Sequence, residues 1–391
     1  MGNHTCVQVC SLVFLIMVSF LTKGILSDPC RPITNQILWC NGTGNSDINQ
    51  TFIDSILKNK ITPGLKEIHI FNGNFKELPP NAFGDCASKH GVKLNSLTEL
   101  VLSNNKITTI HGKTFHCMPN LQKLFLDNNR WEIHKDNKNH TGYFNNLPNL
   151  VELDLTSAFF VAEGLHIIRF RQVLENSSFS KLETLRLGNN NMQFVDDAFG
   201  KALCTMDSLK HVNLQLNSLF KLAFTHCFQM SKYLEKIDLS NNTLSTLDQR
   251  SMDVFDFIRE SNENFTVNLL GQQWSCDCNI KEFRNWMQNT KVHLIGKDKY
   301  VCHDGANFNR RIIHLTDAEM VCNDPGVDSS VQAGVVVMIV LFVLIAVALI
   351  VVVVLYRSRL TSFARGVRKS FARENHVQYS SVDNAPLTAE A

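Results

Sequence analysis

The stretch Leu97-Thr98-Glu99-Leu100-Val101-Leu102-Ser103-Asn104-Asn105-Lys106-Ile107 puts leucine at its first, fourth and sixth positions, asparagine at the ninth and isoleucine at the eleventh. The same spacing returns at Leu121/Leu124/Leu126/Asn129, Leu182/Leu185/Leu187/Asn190, Leu209/Val212/Leu214/Asn217 and Leu234/Ile237/Leu239/Asn242. Two weaker copies, Leu65/Ile68/Ile70 and Leu150/Leu153/Leu155, carry Gly73 and Ala158 where the asparagine would stand. Successive first leucines lie 32, 24, 29, 32, 27 and 25 residues apart. A period of this size marks a stacked array, because one such unit has no partner of its own against which to bury its leucines.

The pattern is that of leucine-rich repeats. Each Leu-x-x-Leu-x-Leu segment predicts a short strand with its leucines turned inward, and stacking aligns the strands into a parallel sheet on a concave face. The asparagine turns inward after the strand, where its amide can satisfy backbone groups that the bend leaves unpaired. Phe83, Phe115, Phe144, Phe199 and Phe224 fall in the return segments and predict a phenylalanine spine on the convex side. The expected fold class is an α/β solenoid with disulfide-bridged caps at both ends and one transmembrane helix.

A solenoid needs end stops, since an uncapped end exposes apolar side chains and unpaired sheet groups. Residues 28–63 predict the N-terminal cap, with Cys30 and Cys40 placed to bridge and Ile37 and Trp39 to cover the first repeat. Repeats follow over 64–149 and 182–270, around an irregular polar segment at 150–181. Trp274-Ser275-Cys276-Asp277-Cys278, with Cys302 and Cys322, marks a C-terminal cap over 271–323. Four cysteines allow three pairings, of which Cys276–Cys302 with Cys278–Cys322 is the expected one. A zinc site is the rival reading, although no histidine completes a ligand set and the spacing is not Cys-x-x-Cys. Cys86, Cys117, Cys204 and Cys227 predict the ladder bridges Cys86–Cys117 and Cys204–Cys227 between neighbouring coils, against a rival reading of four buried thiols.

The chain's two apolar runs set its compartment. Val7 to Leu21 followed by small and polar residues predicts a signal peptide over 1–27, whose removal leaves ten of the 12 cysteines. Ala333 to Leu355 is 23 residues without a charge, long enough as a helix for a ~30 Å hydrocarbon core. The expected layout is a stalk at 324–332, a span at 333–356 and a cytoplasmic tail at 357–391. Arg357, Arg359, Arg365, Arg368, Lys369 and Arg373 follow the span, so the tail is expected in the cytosol and the N-terminus outside, in the plasma membrane. An even cysteine count in an oxidising compartment reads as bridges. Asn-x-Ser/Thr triplets at Asn41, Asn49, Asn139, Asn176, Asn241 and Asn264 are candidate glycosylation sites.

No catalytic constellation, phosphate loop or metal motif stands out, so no enzyme activity, cofactor or metal is expected. A net charge of +2 mixes an ectodomain with a basic tail and gives no reason to expect nucleic acid. His69 and His211 fall on outward strand positions and read as solvated surface residues. Among the outward positions Phe71, Val101 and Phe125 are apolar where water is expected, a candidate protein-binding patch; cover by a loop or glycan is the equal alternative. In the tail, Tyr379 and Val382 form a Tyr-x-x-Φ signal of the kind clathrin adaptors read. The run from Arg365 to Arg373 should attract anionic lipid.

The C-terminal cap resembles that of the trophoblast glycoprotein family. The likeness is carried by Trp274-Ser275-Cys276-Asp277-Cys278, Trp286, Thr290, Val292, Gly296-Lys297-Asp298, Cys302, Asn309-Arg310 and Cys322, and the order of domains agrees. The sequence departs from that family at Gln272-Gln273, where Asn-Pro is usual, and at its end, Ala389-Glu390-Ala391. The resemblance implies a non-enzymatic cell-surface glycoprotein that dampens Wnt/β-catenin signalling by altering the surface behaviour of a Wnt coreceptor. An adhesion or innate-immune pattern-recognition receptor of the Toll-like ectodomain type is the alternative.

Overall fold

The computed structural model describes residues 29–42, 48–86, 93–133, 142–160, 173–174, 177, 179–223, 233–320 and 329–356. The chain forms two units, 1–322 and 323–391. In the first, 11 strands form one sheet whose spatial order is their order in sequence. Cys30–Thr34 and Ile37–Asn41 make an antiparallel hairpin. From Ile37–Asn41 onward every pairing is parallel, through Glu67–Phe71, Glu99–Val101, Lys123–Phe125, Glu152–Asp154, Thr184–Arg186, His211–Asn213, Lys236–Asp238, Thr266–Asn268 and His293–Leu294. The repeat frame read from the leucines is therefore the frame of the sheet.

Register follows from period two. Ile68, Leu100, Leu124, Leu153, Leu185, Val212, Ile237 and Val267 align across the sheet and are all buried. On the convex side the rings of Phe83 and Phe115 stack 6.5 Å apart, those of Phe115 and Phe144 6.0 Å apart, and Phe179 continues the row 6.0 Å from Phe144. Phe199 is buried as expected, and Phe224 lies outside the described residues.

The asparagine ladder holds the bends. Asn217 Oδ1 accepts from the backbone nitrogens of Asn190 (2.8 Å) and Met192 (3.1 Å), while its Nδ2 donates to the carbonyls of Leu187 (3.0 Å) and Leu214 (2.9 Å). Asn129, Asn190 and Asn242 repeat this on their own coils. The two weak repeats stay inside the ladder: Gly73 and Ala158 donate backbone N–H groups to Asn105 and Asn190 of the following coils. A Cβ at Gly73 would fall 2.6 Å from Asn105 Oδ1, so no side chain fits there.

Three of the expected bridges lie among the described residues. Cys30 bridges Cys40, Cys86 bridges Cys117, and Cys276 bridges Cys302. Cys204 and Cys278 are also disulfide-bonded, while Cys227 and Cys322 lie outside the described residues. Trp274 is buried, stacked on Phe283 at 4.5 Å and beside Tyr300 at 6.2 Å. Gln272, at the departure from Asn-Pro, takes the place of a ladder asparagine. Its Nε2 donates to Leu239 O at 2.6 Å and its Oε1 accepts from Leu244 N at 3.2 Å.

Three local expectations need correction. Trp39 does not cover the open edge of the first repeat; alternation turns Leu38 and Cys40 inward and sends Trp39 to the concave surface. Val267 and Leu269, which the spacing marks as a last strand, do not end the sheet, because the cap adds His293–Leu294 as one more strand. His69 is not solvated, its side chain being only 12% exposed.

In the second unit Ser329–Leu355 is an α-helix. Its side chains are described from Met338 to Val351 and at Val354–Leu355. Among the described residues no helix is long and apolar enough to cross a membrane. The signal segment 1–27, Asn139, Asn176, Tyr379 and Val382 lie outside the described residues.

Candidate functional site

The concave sheet gives each repeat two or three outward positions, fixed by the same alternation that buries the leucines. Its first coils gather aromatic rings. Trp39 stacks on His69 at 5.2 Å between ring centres and 26° between planes, and meets Phe71 at 5.0 Å. His69 pairs in register with Val101, and Val101 with Phe125. Val101 is only 7% exposed, so it forms the floor of the patch while the half-buried rings of Phe71 and Phe125 form its sides. Of the three apolar candidates, two are available for contact and one supports them.

Carboxylates border the rings. His69 Nε2 lies 3.0 Å from Glu67 Oε2 and 3.9 Å from Glu99 Oε1, and Glu99 Oε2 is 3.7 Å from Lys123 Nζ. Glu67 and Glu99 stand directly opposite on neighbouring strands, an arrangement that costs free energy unless a cation or donor lies between them. The imidazole supplies that donor. Glu67, His69 and Glu99 each offer one ligand atom, all within 4.8 Å of one another, and could hold a divalent cation, with the Lys123 ammonium competing for Glu99. Sequence reading missed this trio and Trp39, because Glu67 and Glu99 are brought together only by the strand register.

Toward the middle, Arg186 bonds to Glu152 and lies 3.7 Å from Asp154, and Ser103 bonds to Asp127. Burial raises the Asp154 carboxyl above its usual range, against the opposing hydrogen bonds from Thr156. A shallow depression of about 230 Å³ follows, lined by Arg186, His211, Asn213, Lys236 and Asp238. At Asp238 burial pushes the carboxyl up, but hydrogen bonds from Ser240, Asn268 and Lys236 outweigh it and hold the group below the usual range. His211, unlike His69, is largely exposed, with Glu235 3.4 Å away. The face therefore runs from aromatic and acidic at its start to mixed ion pairs further on. Such a surface recognises a partner by shape and charge, the aromatic rings supplying contact area at low entropic cost.

The comparisons agree with this build. A family model described as "Leucine rich repeat" matches residues 63–130. Trophoblast glycoprotein of Macaca fascicularis is 24% identical over 293 residues, covering 70% of this chain and 65% of that protein. Among solved structures, the human 5T4 protein (Wnt-activated inhibitory factor 1, trophoblast glycoprotein) superposes with a TM-score of 0.56 at 20% identity, covering 75% of this chain and 98% of that one. The chain is thus similar to trophoblast glycoprotein over most of its length and shares the leucine-rich-repeat fold. A second relative, the transforming growth factor beta activator LRRC33 of Danio rerio, is 26% identical over 285 residues, covering 68% of this chain and 38% of that protein. The chain thus spans from 38% to 65% of the length of these two curated relatives.

Proposed function

We propose that this protein is a single-pass cell-surface glycoprotein that binds other proteins through its concave face and dampens Wnt/β-catenin signalling by changing the surface behaviour of a Wnt coreceptor. The observation that carries the binding surface is the cluster of Trp39, His69, Phe71 and Phe125 over Val101, a partly exposed aromatic patch where a solvated sheet would carry polar side chains. The bordering Glu67, Glu99 and Asp127 favour a partner segment with basic residues among apolar ones. The Wnt reading rests on similarity to trophoblast glycoprotein, whose human form is also called Wnt-activated inhibitory factor 1.

Anchoring in the plasma membrane is supported by the uncharged run Ala333 to Leu355 and the arginines that follow it. Internalisation through Tyr379 and Val382 by clathrin adaptors belongs to the same proposal. The test is expression of the full chain in Wnt-stimulated cells, reading β-catenin reporter output and surface coreceptor together. A fall in reporter output with altered surface coreceptor is expected; no change in either would overturn the Wnt reading. Antibody-feeding uptake of a Tyr379→Ala variant should be slower than that of the parent, and equal uptake would remove the sorting signal.

A further inference from the structure

Along one edge of the concave sheet, the residue just before the ladder position takes a left-handed backbone. Asn72, Asn104, Asn128 and Asn189 do so with φ between 54° and 57°, and asparagine tolerates this region better than other side chains. These side chains also form a row. Asn72 Nδ2 donates to Asn41 Oδ1 (2.8 Å), Asn104 Nδ2 to Asn72 Oδ1 (2.6 Å) and Asn189 Nδ2 to Ser157 Oγ (2.7 Å), each reaching the coil before it; Asn128 turns instead to Asp127 (2.7 Å).

Leu216 breaks the row. It holds φ 56° with a bulky apolar side chain 52% exposed, where the pattern calls for a small polar one. A left-handed backbone is costly for any residue with a branched apolar side chain, so an exposed one points to a function. Leu216 N donates to Ser240 O at 2.9 Å, which sets it beside Asn241, the next member of the row. Leu216 has no acceptor to offer, and the Asn241 Nδ2 donates to nothing among the described residues. A Cβ at Gly271 would fall 2.3 Å from Asn241 Oδ1. The amide oxygen therefore faces the following coil, while Leu216 lies beside Asn241 on the coil before it. Asn41 heads the row, accepting from Asn72 while its own Nδ2 likewise donates to nothing among the described residues. Asn41 and Asn241 are also the row members that begin an Asn-x-Thr triplet, with Thr43 and Thr243; Asn72, Asn104, Asn128 and Asn189, whose nitrogens are engaged, do not.

We propose that Leu216 is the seat of the first sugar of an N-linked glycan on Asn241, and that Asn41 carries a second glycan at the other end of the row. In the attachment step the Nδ2 forms a bond to C1 of the sugar of a polyprenyl-diphosphate-linked oligosaccharide. The C1–O bond breaks, the polyprenyl diphosphate leaves with its electron pair, and one Nδ2 proton passes to a base. The less polar face of the hexosamine then covers the Leu216 side chain, removing apolar surface from water. The sugar on Asn41, which pairs in register with Phe71, then borders the aromatic patch, and the row from Asn72 to Asn189 carries none.

The test uses the full-length glycoprotein purified from animal cells. Glycopeptide mass spectrometry should find Asn41 and Asn241 modified. Hydroxyl-radical footprinting then reads Leu216 in three states of the folded protein: intact, trimmed to one sugar, and freed of the whole glycan by an amidase. Labelling of Leu216 should stay low in the first two and rise several-fold in the third. An unmodified Asn241, or equal labelling in all three states, would overturn the seat; an unmodified Asn41 would overturn the second glycan. Because the sugar is removed after folding, the result does not depend on an Asn241→Gln variant being secreted.

Discussion

The indole nitrogen of Trp286 donates to Asp256 Oδ2 across 2.7 Å and so ties the helix of the C-terminal cap, Ile280–Asn289, to that of the last repeat, Gln249–Ser261. Thr290 places its hydroxyl on the other oxygen of the same carboxylate. Trp286 is buried, so its N–H has no ready substitute for this acceptor. Asp256→Ala should cost about 1–3 kcal/mol and lower the urea midpoint followed by tryptophan fluorescence. An unchanged midpoint would mean that the apolar contacts of Trp286 hold the cap alone.

The ladder should be more sensitive than the leucines' abundance implies. Asn217→Ala leaves the buried backbone N–H groups of Asn190 and Met192 without their acceptor, while the carbonyls of Leu187 and Leu214 keep Asn190 Nδ2 and Asn242 Nδ2 as donors. At about 1–3 kcal/mol for each buried group left unsatisfied, the loss should be at least about 2 kcal/mol. Thermal unfolding and amide exchange across residues 187–217 check it. Protection lost only at those coils would show that the array opens repeat by repeat.

Gly271 meets two constraints at once. Its φ is 72°, and an added Cβ would fall 2.3 Å from Asn241 Oδ1. Gly271→Ala should therefore destabilise by about 1–2 kcal/mol, read as a lower melting temperature. Gly64→Ala is the control, since nothing lies within 4 Å of a Cβ there.

Acid should loosen the C-terminal cap. Glu319 accepts from the Thr316 backbone at 2.8 Å and bonds to Arg310, which brings its carboxyl down from 4.5 to about 2. The Lys281 and Arg284 side chains lower Asp317 in the same way. A depressed folded-state value stabilises above the unfolded value, and that contribution is lost as pH falls from about 4.5 toward 2. Glu319→Gln should flatten this part of the stability profile; a slope identical to the parent's would reject the assignment.

Within the proposed binding patch, contact and support should separate. Phe125→Asp should abolish the reporter effect with little change in melting temperature, since the side chain is half exposed. Val101→Asp should lower the melting temperature itself, because that position is buried beneath its neighbours. Equal behaviour of the two variants would show that the patch is structural throughout.

Much of this protein was legible one residue at a time. Period and composition determined the repeat frame, the inward leucines and the ladder asparagines, because each depends on spacing along a chain whose coils stack in order, and they made Cys30–Cys40, Cys86–Cys117 and Cys276–Cys302 the expected bridges, whose pairing the structure decided. Even Gln272 in place of asparagine is readable once its register is known. What only tertiary structure decided lies between coils. Trp39 reached the concave face, Val101 sank beneath its neighbours, and Glu67, His69 and Glu99 converged from strands 32 residues apart in register. Period two says which side of the sheet a residue faces. How deeply it sits, and against what, depends on the side chains of the coils on either side, which no single repeat contains.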